Sequence, residues 1–313
     1  MHWIGSGLIL YSFAAPSSIT GVAYTFFHSG LALGAISCVI STLMSAAGAF
    51  LLLRIILSSP SRNKPRMFSD IGRLVTGHPV GSQVALTLQI MNFLLYQPVA
   101  LLTTAQALQD AMQPRGGTCT SYFIFLVSGV CFAGTQCREF KNAAVLAGLA
   151  LVAALGVAIL QVRIAATSAP VDVDVTHSSA MHWFTLPEGS GGSRGGIEMS
   201  LSLTTCLWAY VPSLLLVELA YEMEHPERLA LSIALSAGIN ILVFVSVGFT
   251  VTYLWKGPIE DPITLSAGWP KDSATARALS ALLCISNFVG YSLDSVPLAR
   301  WCQRRFLPSF RGG

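Results

Sequence analysis

The amino-acid sequence predicts an all-α fold, a bundle of about eight helices that repeatedly crosses a lipid bilayer. The first reason is charge. Of 313 residues, 18 are Lys or Arg and 15 are Asp or Glu, or 11%, where a soluble domain carries about 25%. So few charges cannot cover a water-soluble protein of 33.3 kDa without large apolar patches. The second is hydropathy: 53% of the chain is hydrophobic and the mean hydropathy is +0.63. These residues gather in runs close to the roughly 20 that a bilayer-spanning helix needs. The third is period. The runs are continuous rather than alternating, and backbone in lipid must satisfy its own hydrogen bonds, so helices are expected and not a barrel. A secreted disulfide scaffold is excluded by size and by seven scattered cysteines. A nucleic-acid partner is excluded because the net charge of +3 is weak and its basic residues are dispersed among apolar runs.

Eight spans are expected, at 3–27, 31–53, 80–107, 119–137, 142–163, 199–220, 229–255 and 276–297, in a single transmembrane domain over residues 1–313. The first follows Met1 almost directly. It has no basic flank and is too long for the core of a cleaved leader. After the second come Arg54, Arg62, Lys64, Arg66 and Arg73, and between the fourth and fifth lie Arg138 and Lys141. The longest polar stretch, 164–198, carries Asp172, Asp174, His177 and His182 before a Gly/Ser-rich run. Its spacing fits no compact metal motif, so it reads as a flexible extracytoplasmic connection. Glu218 lies near the end of the sixth span. Arg277 and Asp294 lie near the two ends of the eighth, where Asp294 is expected to pair with Arg300. If the spans alternate, twelve Lys and Arg residues fall on one side and six on the other. The positive-inside rule then places both termini in the cytoplasm.

Two spans have unusual interiors. The first reads Ala14-Ala15-Pro16-Ser17-Ser18-Ile19-Thr20-Gly21, and the sixth reads Trp208-Ala209-Tyr210-Val211-Pro212-Ser213. Proline removes a helix hydrogen bond, and glycine or serine beside it lets the backbone leave the helix. Unpaired backbone at membrane depth persists only where it lines a cavity. A simple kink explains one such span. Two of them, each opening a unit of five spans, form the pattern of inverted-repeat transporters.

Other chemistry is sparse. Cys38, Cys131, Cys206 and Cys284 fall in spans and read as small core hydrophobes, with no pair expected to bridge. No C-x-x-C, H-E-x-x-H or G-x-S-x-G string occurs. An enzyme would need a nucleophile and base, or clustered carboxylates and histidines, at membrane depth, and none is evident. No cofactor and no metal are expected.

The run from Ser17 to Gly34, with Tyr24, Phe26, Gly30 and Gly34 in register, resembles the first-helix motif G-[ST]-G-I-L-x-L-P-Y-A-F-x-x-x-G-x-x-x-G of the amino acid/auxin permease family. Ser18 and Ala23 stand where that motif has glycine and proline. Phe68-Ser69-Asp70-Ile71-Gly72 resembles the family's Y-x-D-[LI]-G. Trp208-Ala209-Tyr210, followed by Glu218-Leu219-Ala220-Tyr221-Glu222-Met223 and Pro226, is similar to the family's helix 6.

The resemblance covers residues 5 to 305. It implies a LeuT-type 5+5 inverted repeat, with about eight of the usual eleven helices present. The missing helices fit either a truncated gene or a reduced member of the fold. It also implies secondary active transport of amino acids, neutral and small or aromatic, coupled to H+ or Na+. The membrane would be the plasma membrane or that of a vacuole or lysosome. A non-transporting sensor of the same fold is the alternative, and a membrane enzyme ranks last.

By that resemblance the substrate carboxylate meets backbone amides around Pro16, Ser17, Ser18, Ile19, Thr20 and Gly21. Trp208, Ala209, Tyr210 and Pro212 shape the opposite wall. The third span offers Asn92 and Tyr96, which with Gln89 share one helix face. Glu218, Ser286 and Asn287 are the candidates for ion coupling, Glu218 as a proton carrier or as the partner of a basic group.

Overall fold

The computed structural model describes residues 2–14, 18–59, 65, 67–112, 119–134, 140–168, 200, 204–206, 210, 213–255, 259–260, 262–266 and 268–306. It is helical as expected. The first apolar run is carried by two helices, α1 (Trp3–Ala14) and α2 (Ser18–Ser29). Then follow α3 (Leu31–Ser58), α4 (Phe68–Thr76), α5 (Pro79–Met112), α6 (Thr120–Gly134) and α7 (Phe140–Thr167). Residues 204–206 are helical, and the chain continues through α8 (Ser213–Glu222), α9 (Leu229–Leu254) and α10 (Ala274–Phe306). Among the described residues five helices are long and apolar enough to cross a membrane, and α1 and α6 contain shorter apolar helices. The polar connection at 169–199, with its aspartates and histidines, lies outside the described residues.

The exterior is as apolar as the core. Met44, Leu95, Phe125, Val145 and Leu242 each expose more than half of their surface. In water such a face would aggregate; against hydrocarbon it matches its solvent. The short helix α4 differs from its neighbours in having one polar and one apolar face. Asp70 accepts the Met67 N–H at 3.0 Å, a reach-back bond that fixes the first turn, and Ile71 is buried beneath it.

Helix α2 is keyed to α3 and α9 by one ring. Gly30, at φ +84°, makes the turn between α2 and α3 in a region that favours glycine. The chain doubles back so closely that a Cβ on Gly34 would lie 2.9 Å from Phe26 Cγ. A Cβ on Gly248 of α9 would lie 2.5 Å from the same ring. Phe26 is buried and cannot swing aside. Gly248→Ala is therefore expected to destabilise the bundle by about 1–3 kcal/mol, the usual cost of overpacking. Thermal unfolding in detergent measures it, and an unchanged midpoint would show that Phe26 has room.

Polar side chains tie the same helices together at depth. Ser12 Oγ donates to the Ala147 carbonyl at 2.9 Å and Ser232 Oγ to the Trp3 carbonyl at 2.7 Å, holding α1 to α7 and α9. Asn240 Nδ2 donates to Thr42 Oγ1 at 3.0 Å, across α9 and α3. Bonds of this kind replace the hydrophobic drive that lipid does not supply between helices. The Cys38 and Cys206 sulfurs meet at 3.1 Å as buried free thiols, joining α3 to the turn at 204–206.

Candidate functional site

A cavity of about 780 Å³ opens among α2, α5, α10, the turn at 204–206 and the loop at 260–265. Most of its lining residues are polar in type and few are charged, although apolar atoms make up the larger part of the lining surface. From α2 come Ser18, Thr20, Gly21 and Tyr24; the ring of Tyr24 leans on His28, with centroids 4.2 Å apart. The C-terminal turns of α5 contribute Thr103, Gln106, Gln109 and Asp110, and Thr120 Oγ1 donates to Gln109 Oε1 at 3.0 Å. Helix α10 contributes Ser280, Leu283 and Asn287. Because the end of α5 and the start of α10 share this cavity, the two packed helices run antiparallel.

Asp110 and Glu260 are the charged groups among the described lining residues, and Lys271 acts electrostatically on Asp110. The loop bearing Glu260 is held by a bond from its backbone N–H to Ser266 Oγ at 2.9 Å. With two carboxylates in its wall the cavity repels anions, while its hydroxyl and amide groups offer both donors and acceptors. The first turn of α2 faces the same space. The unpaired N–H groups of a helix start favour a negative group.

The family of transmembrane amino acid transporter proteins matches residues 3–308. The chain belongs to this family. A comparison with curated proteins finds no match. As a member of a transporter family with several long apolar helices, the chain is an integral multi-pass membrane protein.

In this transporter the residues singled out from sequence are distributed as follows. Ser18, Thr20, Gly21 and Asn287 lie together in the cavity wall. Ile19, between them in sequence, is buried in the apolar core. Tyr210 is packed away from the cavity, its hydroxyl meeting Ser236 Oγ at 2.5 Å and the Ile233 carbonyl at 3.2 Å. Asn92 and Tyr96 are half-buried on α5, nearer its N-terminus than the lining residues. Pro16, Ser17, Trp208, Ala209 and Pro212 lie outside the described residues.

The three ion-coupling candidates are not brought together. Glu218 is buried, with Gln89 Nε2 donating to its Oε1 at 3.4 Å. Ser286 Oγ turns to the Ala150 carbonyl of α7 at 3.4 Å, and Asn287 faces the cavity. Asp294, expected to pair with Arg300 near the membrane edge, is instead wholly buried, and neither of its oxygens has a hydrogen-bond partner. The shift from edge to core follows from α10 running on to Phe306, so that the helix continues well past this carboxylate.

Sequence reading did not single out Thr103, Gln106 or Asp110. A signal existed: Gln89, Tyr96, Thr103 and Asp110 recur every seventh residue, which places them along one face of α5.

Proposed function

We propose that this chain is a secondary active transporter of neutral amino acids, small or aromatic, coupled to H+ or Na+, and that it moves its substrate without transforming it. One observation supports this reading above the rest: a polar cavity of zwitterion-accommodating size sits at the start of α2 within a bundle of membrane-spanning helices. The substrate carboxylate is assigned to the N–H groups around Ser17, Ser18, Ile19 and Thr20, where the helix dipole favours it. Its ammonium group is assigned to hydroxyl and amide acceptors on α2, α5 and α10, with Asp110 and Glu260 discouraging anionic side chains. Trp208, Ala209 and Pro212 are assigned to the side-chain end, and Tyr210, turned to Ser236 and Ile233, is left out of the site. Asn287, in the cavity wall, is assigned to the substrate, Glu218 to ion coupling, and Ser286, turned to the Ala150 carbonyl, to neither.

Two apolar runs that carry Pro16 and Pro212 among small and hydroxyl residues, each opening a unit of five expected spans, favour a LeuT-type inverted repeat with alternating access. The membrane is the plasma membrane or that of a vacuole or lysosome, with both termini cytoplasmic. An uptake screen of the twenty amino acids in proteoliposomes, with imposed H+ or Na+ gradients, tests the proposal. Accumulation of neutral amino acids under one gradient supports it. Binding without uptake or exchange would mark a sensor instead.

Orientation has its own check. Cys119 is exposed just ahead of α6, and hydrogen bonds from Ser121 lower its thiol pKa. A membrane-impermeant maleimide added outside intact cells, with the protein in the plasma membrane, is expected to label Cys119, and Cys119→Ser should abolish that labelling. Labelling only after permeabilisation would reverse the topology.

A further inference from the structure

We propose that Asp294 is an intramembrane proton-binding site, reached along a polar seam between α5 and α10 that leads down from the cavity. On α10, Ser280 and Asn287 line the cavity and Asp294 follows at the same interval of seven residues. Seven residues are about 20° short of two turns and span about 10 Å. Asp294 therefore lies on the cavity-facing side of its helix, two turns deeper than Asn287. Helix α5, antiparallel to it, carries the matching row Asp110, Thr103, Tyr96 and Gln89.

Asp294 has 0% exposure, and both of its oxygens lack a partner. A carboxylate in that condition loses its hydration and gains nothing in return, so the neutral acid is the form this conformation holds. Glu218, the other buried carboxylate, differs because Gln89 already donates to it. Among the described side chains, no titratable or charged group on the surrounding elements pairs with Asp294. Tyr291 on α10 senses Asp294 electrostatically. Helix α5 brings Tyr96 and, at its far end, Asp110. Helix α6 brings Tyr122 and Cys131, and α8 brings Glu218, Tyr221 and Glu222. Helix α7 carries Lys141 and Arg163 near its two ends, α1 brings the buried Tyr11, and α10 itself carries Cys284 and, toward its ends, Arg277 and Arg300.

Loading forms one O–H bond, from hydronium in the cavity to a carboxylate oxygen, and takes the site from −1 to neutral. Unloading breaks that bond to water on the opposite side. In a proton-driven transporter this carboxyl would be the coupling site, a step that rests on the function proposed above.

The test uses the full chain in liposomes. Infrared difference spectra between acid and alkaline pH are expected to contain a protonated-carboxyl band that Asp294→Asn removes and Glu218→Gln retains. Asp294→Glu should move the band rather than remove it, which also shows that the site still folds. Under a proton gradient Asp294→Asn is expected to lose at least tenfold in net accumulation of amino acid while keeping exchange of labelled for unlabelled substrate. An unchanged band in Asp294→Asn, or wild-type proton-driven accumulation, overturns the proposal. Wild-type protein that neither accumulates nor exchanges any amino acid overturns the transport reading instead, and the infrared result then decides the proton site alone.

Discussion

Asn287→Ala is expected to raise the KM for amino acid uptake about 10- to 100-fold, while Ser286→Ala leaves it within about twofold. The two residues are neighbours on α10 and both are buried, but they point to different places. Asn287 is part of the cavity wall, whereas Ser286 spends its hydroxyl on the Ala150 carbonyl of α7 through a long bond of 3.4 Å. Removing a group that would bond a zwitterion leaves the partner unsatisfied, at about 1–3 kcal/mol, and each 1.4 kcal/mol is about tenfold in affinity. Losing a weak bond to a carbonyl that already serves a helix costs far less. Initial rates of labelled uptake over a range of concentrations measure both variants. Equal KM values for the two would place the substrate somewhere other than this cavity.

The second large effect is expected at the Gln89–Glu218 pair. Gln89→Leu withdraws the amide that donates to Glu218 Oε1. A buried acidic group that loses a donor costs about 1–3 kcal/mol, and more when it is ionised. Unfolding in detergent should therefore begin at a clearly lower temperature. Adding Glu218→Leu to Gln89→Leu should recover part of the loss, because the carboxyl that lost this donor is then gone. A double-mutant cycle isolates the pair. If the two changes are merely additive, the 3.4 Å contact contributes nothing and Glu218 is held by its other interactions.

The helical bundle was legible because lipid leaves the chain little choice. Apolar runs with few charges must become helices, and the long ones appear as α3, α5, α7, α9 and α10. Prolines were harder to read. Pro98 lies inside α5 and Pro297 inside α10, and both helices continue through them. Pro16 and Pro212 lie outside the described residues.

The cavity was legible on α2, where Ser18, Thr20 and Gly21 were singled out as a group. It was half legible on α5. Asn92 and Tyr96 lie on the same helix as the lining residues but toward its other end, because helical spacing shows which residues share a face but not how far along it a neighbour opens a gap. The contributions of Thr264 and Glu260 depend on the segment between α9 and α10 returning to the cavity. No local pattern in a single sequence encodes that return.

The ring of Phe26, seated between Gly34 and Gly248, has a mechanical consequence. Helices notched together by one side chain cannot slide past each other without first ejecting it. Segments α2, α3 and α9 must then swing as a single lever, and rearrangements that expose the cavity to one side or the other fall to the joints outside that lever.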